Sequence, residues 1–63
     1  MNLKQKELLD DSIRDPLEAI RGTAILGSCQ TSDEALAGAF HSIRILADTA
    51  IKATESLEED AEK

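Results

Sequence analysis

The chain has 63 residues, a formal net charge of −6, one cysteine (Cys29), one histidine (His41) and one aromatic side chain (Phe40). So short a chain hides only about 60% of its unfolded surface on folding, and small domains gain the rest from disulfides, metals or partners. One cysteine excludes an internal disulfide, and a single Cys and His argue against a zinc site. The composition also lacks the ~20-residue apolar run of a membrane span and the basic stripe that attracts phosphate backbones.

Ala, Leu, Ile and Glu dominate, proline occurs once, and no stretch alternates with period two. The expected class is all-α. Residues 2–14 read as a first helix, with Leu9 and Ile13 four apart. Asp15-Pro16-Leu17-Glu18 then reads as a fresh start: Asp15 caps, Pro16 takes the first helical position and Glu18 reaches back. A break or sharp kink at Pro16 is expected, the alternative being one long helix that lacks the bond to the Ser12 carbonyl. Residues 16–28 continue as a helix, and Leu9, Ile13, Leu17, Ile20 and Ala24 share a face at 100° per residue. Gly27 offers a stop, with Ser28-Cys29-Gln30 as the connection.

Thr31-Ser32-Asp33-Glu34 has the form of a T-x-x-E capping box, so the last helix is expected over 32–57. Leu36, Ala39, Ile43, Leu46, Ala50, Ala53 and Leu57 recur at intervals of three and four, a heptad seam flanked by Phe40 and Ala47. Residues 55–63 carry five acids against Lys63. They crowd the negative end of the helix dipole, so 58–63 read as an acidic, frayed tail. Residues 1–57 thus form one domain.

These pieces give a helical hairpin with an N-terminal arm or extension. Its apolar stripes are not covered by one chain, so pairing of two hairpins into a homodimeric four-helix-type bundle is expected. The seam residues are Leu17, Ile20, Ala24, Leu36, Ala39, Phe40, Ile43, Leu46, Ala50, Ala53 and Leu57. Gly22, Leu26 and Ile45 fall off that stripe, as scattered surface side chains or as a second contact surface for another protein.

No catalytic, cofactor or metal site is expected. Nucleophilic catalysis by Cys29 needs a base within reach, and His41, the one imidazole, falls on the polar side of the last helix. Glu18 lies between Arg14 and Arg21, and Asp48 between Arg44 and Lys52, in the pattern of solvated helix ion pairs. Arg14 and Arg21, seven apart, are the one feature favouring nucleic acid. The N-terminus has no signal-type apolar stretch, and a lone thiol suits the cytoplasm.

The plan of a short helical hairpin resembles the Rop-type RNA-binding dimer, in architecture only. Asp15-Pro16-Leu17-Glu18-Ala19-Ile20 and Ala24-Ile25-Leu26-Gly27-Ser28-Cys29 are similar to segments of a family of small helical-hairpin proteins of pseudomonads. So are Ala35-Leu36-Ala37, His41-Ser42-Ile43 and Leu46-Ala47. The resemblance implies a bacterial or phage origin and the hairpin fold, and it implies no activity. The expected role is non-enzymatic: a homodimeric protein-binding module. The alternatives are a phage or mobile-element inhibitor of a host enzyme and a Rop-like nucleic-acid binder.

Overall fold

The computed structural model describes residues 2–62, with side chains to residue 60. Lys63, at the end of the expected acidic tail, lies outside the described residues. The chain is helical almost throughout: α1 (Leu3–Leu9), a π-helical turn (Asp10–Arg14), α2 (Asp15–Gln30) and α3 (Glu34–Glu62). Tertiary packing is concentrated between α2 and α3. Each arm of the hairpin is roughly 42 Å long at 1.5 Å per residue.

Local chemistry sets the ends. Asn2 opens α1 with a reciprocal capping box: its side chain accepts from the Gln5 N–H at 2.9 Å, and Gln5 Oε1 accepts from the Asn2 N–H at 3.1 Å. The expected fresh start at Asp15 is not a cap. Asp15 has helical dihedrals, and its N–H donates to the Asp10 carbonyl five residues back. Pro16 has no N–H to give, and its ring crowds the carbonyl four residues earlier. A widened turn placed just ahead of it moves those carbonyls and keeps the path helical.

Two further boundaries differ from the sequence reading. Gly27 does not end α2, which runs to Gln30, and no glycine among the described residues has positive φ. Gly27 is instead a point of close approach: a Cβ there would meet the Phe40 ring at 2.7 Å. The cap of α3 is Asp33 rather than Thr31. Asp33 Oδ1 accepts from the Leu36 N–H at 3.0 Å, while Thr31 Oγ1 accepts from the Asp33 N–H at 3.2 Å. A carboxylate beside the positive end of the helix is the stronger cap. At the other end, α3 continues through the acidic segment to Glu62.

The hairpin is a single layer. Its extents are 45 × 17 × 11 Å, so it is one helix thick. Its radius of gyration is 14.3 Å, against about 10.6 Å for a compact chain of this length. Its accessible surface is 4629 Å², against about 4,000 Å² for a compact monomer of its mass. Among the described residues only Leu9, Ala24, Ala47, Ile51 and Thr54 are buried. No helix among the described residues is long and apolar enough to cross a membrane.

Candidate interaction face

The contact between the arms follows two lines. On α3 Ala37, Phe40, Arg44, Ala47, Ile51, Thr54 and Glu58 are shielded and spaced alternately by three and four, with Asp48 and Ala50 half-buried on their flanks. On the other arm Leu9, Arg14, Leu17, Arg21, Ala24, Ser28 and Thr31 are shielded, with Asp10 and Gly27 half-buried beside them. Leu9 and Arg14 are five apart, the spacing of one π turn, so the π segment keeps both on the inner side. In an uninterrupted α-helix Ile13 would hold that place; here Ile13 is exposed and Leu9 is buried.

The inner line of α3 is the sequence-derived seam moved on by one residue, a rotation of about 100°. Leu36, Ala39, Ile43, Leu46, Ala50, Ala53 and Leu57 therefore do not face α2. Leu36 is 53% exposed, Leu46 69% and Leu57 54%; Ile43 and the alanines Ala39 and Ala53 are also exposed, and Ala50 is half-buried. Of the other seam residues, Ala24 is buried, Leu17 and Phe40 are half-buried and Ile20 is exposed. The chain closes on the line richer in polar residues and leaves the richer apolar line open.

The open residues form one face. Ile20 and Ile43 line the same apolar groove between α2 and α3, of about 320 Å³, with Ala19, Thr23, Ala24 and Phe40. Leu36, Ile43, Ala50 and Leu57, spaced by seven, run along α3 on that side, with Ala39, Leu46 and Ala53 beside them. The opposite edge of α3 carries a polar line at the same spacing: Glu34, His41, Asp48 and Glu55. The side that carries Ile20 and Ile43 is thus the more apolar of the two broad sides, while Ile25, Leu26 and Ile45 are exposed away from it.

Ion pairs join the arms on the inner line and toward the polar edge. Arg21 Nη1 donates to Asp48 Oδ1 at 2.9 Å. Arg14 donates to Asp10 at 2.9 Å, to Glu58 at 2.6 Å and, through Nε, to Thr54 Oγ1 at 3.3 Å. Thr54 Oγ1 in turn donates a hydrogen bond to the Ile51 carbonyl at 2.7 Å. The hydrogen bond from Arg21 holds the Asp48 carboxyl below its ordinary 3.8, against the opposing effect of burial. The carboxylates Glu58 and Asp48 in turn raise the pKa values of Arg14 and Arg21.

Asp48, expected between Arg44 and Lys52 on its own helix, instead pairs across the hairpin with Arg21, and Arg14, expected beside Glu18, pairs with Glu58 across the hairpin and with Asp10 on its own arm. Glu58, expected in a free tail, is an anchor. The sequence reading missed Thr54 and Glu58 because polar residues in a heptad line look like its solvent side.

The remaining candidates are scattered. Gly22, Leu26 and Ile45 are exposed, and nothing lies within 4 Å of a Cβ built on Gly22. By helical arithmetic Leu26 points away from α3 and Ile45 away from α2, so they do not share a patch. Cys29 is an exposed free thiol. The hydrogen bond of the His41 ring is with Arg44, at 3.1 Å to Nδ1, rather than with that thiol. Among the described residues no group of three Cys, His, Asp or Glu is placed to hold a metal ion. Comparison of the chain with protein families, with characterised proteins and with solved structures returns no match.

Proposed function

We propose that this chain is a non-enzymatic interaction module that pairs with a second copy through its open apolar face to form a four-helix-type bundle. One observation carries the reading: the more apolar of the two heptad lines of α3 is the one left uncovered, with Leu46 69% exposed. Contiguous apolar faces of this kind mark association surfaces. The broad side of the hairpin that carries this face measures about 45 × 17 Å between its outermost Cα positions. The paired hairpins then present their polar sides outward to a further protein. The free thiol of Cys29 suits action in the cytoplasm.

The nucleic-acid reading has less support. Arg14 and Arg21, which would form the cationic strip, are turned to Glu58, Asp10 and Asp48 within the hairpin. Concentration-dependent thermal melting tests the dimer. The melting temperature of a dimer rises with protein concentration, and Leu46→Asp removes the rise and lowers helicity at micromolar concentration. A melt independent of concentration and unchanged by Leu46→Asp contradicts the reading.

A further inference from the structure

The face also says how a second copy lies on it; this step rests on the pairing proposed above. Two hairpins stacked face to face have two symmetric arrangements. With the dyad along the long axis, both turns sit at one end and α3 lies over α2 of the other copy. With the dyad across the long axis, the turns sit at opposite ends and α3 lies antiparallel over α3 of the other copy.

We infer the second arrangement: α3 packs antiparallel on its own copy, with the dyad crossing between residues 46 and 47. Three observations point to it. The apolar line is long on α3, with Leu36, Ile43, Leu46, Ala50 and Leu57, and short on α2, where Pro16, Thr23 and Gln30 flank Ile20. Laying α3 on α2 would set that line against Thr23 and Gln30, whereas laying α3 on α3 sets its leucines, isoleucine and alanine against one another.

Side-chain sizes agree. Reversal about 46 and 47 brings Leu36 opposite Leu57 and Ile43 opposite Ala50. Bulky and small side chains then alternate across the middle layers, as dense packing requires. The charge distribution adds a third argument. Residues 55–63 carry a net −4 of the chain's −6. A shared open end would bring two such segments together, while the crossed dyad separates their midpoints by about 37 Å at 1.5 Å per residue, several Debye lengths at physiological salt.

Pulsed dipolar spectroscopy on the full chain, with Cys29→Ser as background, reads the arrangement. Single nitroxides are placed at three exposed positions through Ser32→Cys at the turn, Thr49→Cys near the middle and Glu59→Cys at the open end, and circular dichroism checks each variant. The expected pattern is far, near, far: separations approaching 45 Å at the two ends and within about 25 Å, some two helix diameters, at Thr49. A dimeric mass with separations of about 25 Å or less at all three levels overturns the crossed dyad and leaves the pairing standing. A monomeric mass with no dipolar signal at any position overturns the pairing itself.

Discussion

The two ends of the hairpin are held by different physics. Near the turn, Ala24 and Gly27 let the arms approach, and the Phe40 ring lies against Gly27 where a methyl group would collide. Near the open end the inner line carries Arg14, Thr54 and Glu58, and charge-assisted hydrogen bonds replace close apolar packing. Between them lie Ala47 and Ile51, both buried, and the Arg21–Asp48 pair. The turn end therefore responds to volume, and the rest of the seam responds also to pH and salt. Neither end covers the apolar face, which is common to both.

The largest expected effect comes from a charge in the buried middle of the seam. Ile51→Asp places an unpaired carboxylate where the side chain is now 4% exposed, at a cost of several kcal/mol, about 3 or more. Far-ultraviolet circular dichroism should show the hairpin unfolded at any concentration. The contrast with Leu46→Asp is informative, because in a lone hairpin that position is open to water and the charge costs little. Loss of structure in both variants ties folding to pairing, and loss in Ile51→Asp alone shows that the single hairpin stands by itself.

Next in size is Phe40→Ala, which vacates the turn end. The ring is half-buried, so a loss of about 2–3 kcal/mol is expected, toward the low end for aromatic truncations. Smaller, but sharper as a test, is a pair of glycine substitutions. Gly22→Ala meets nothing within 4 Å and should gain about 1 kcal/mol from helix propensity alone. Gly27→Ala should lose that gain against the Phe40 ring and recover it in a Phe40→Ala background. Equal gains at both glycines, measured by urea denaturation, would show that the ring does not pin the turn.

The smallest effect is that of pH. The folded-state pKa of Asp48 is depressed, so its stabilising contribution is complete above the ordinary 3.8 and is lost as pH falls through the lowered folded value. Below 3.8 the stability of the wild type should approach that of Asp48→Asn, and above that value it should exceed it. Acid titrations of the two proteins followed by circular dichroism check this, and a constant gap down to the lowest pH would count against the ion pair.

The all-α hairpin was legible in the sequence because the composition, the periodicity of three and four and the polar cluster at 30–34 agree. The inner face was legible only to within one residue. Two lines on α3 share the heptad spacing, and apolarity alone favours Leu36–Leu57, whereas the chain closes on Phe40, Ala47, Ile51 and Thr54. What decides between them is mutual: Phe40 needs Gly27, Asp48 needs Arg21 and Glu58 needs Arg14, and these pairings join residues far apart in sequence. The π turn left a trace that the regular 100° step hides, the five-residue interval between Leu9 and Arg14. Asn2 and Gln5 form a capping box of a recognisable type, and Asp33 took the capping role because it competed with Thr31 from two residues away.

Sedimentation equilibrium of the unmodified chain, from low to high micromolar concentration, tests the uncovered face most directly. The account predicts a mass moving from 6.8 kDa toward about twice that value, with Leu46→Asp remaining at the lower mass. A single species at 6.8 kDa across the whole range, with helicity intact, would contradict it.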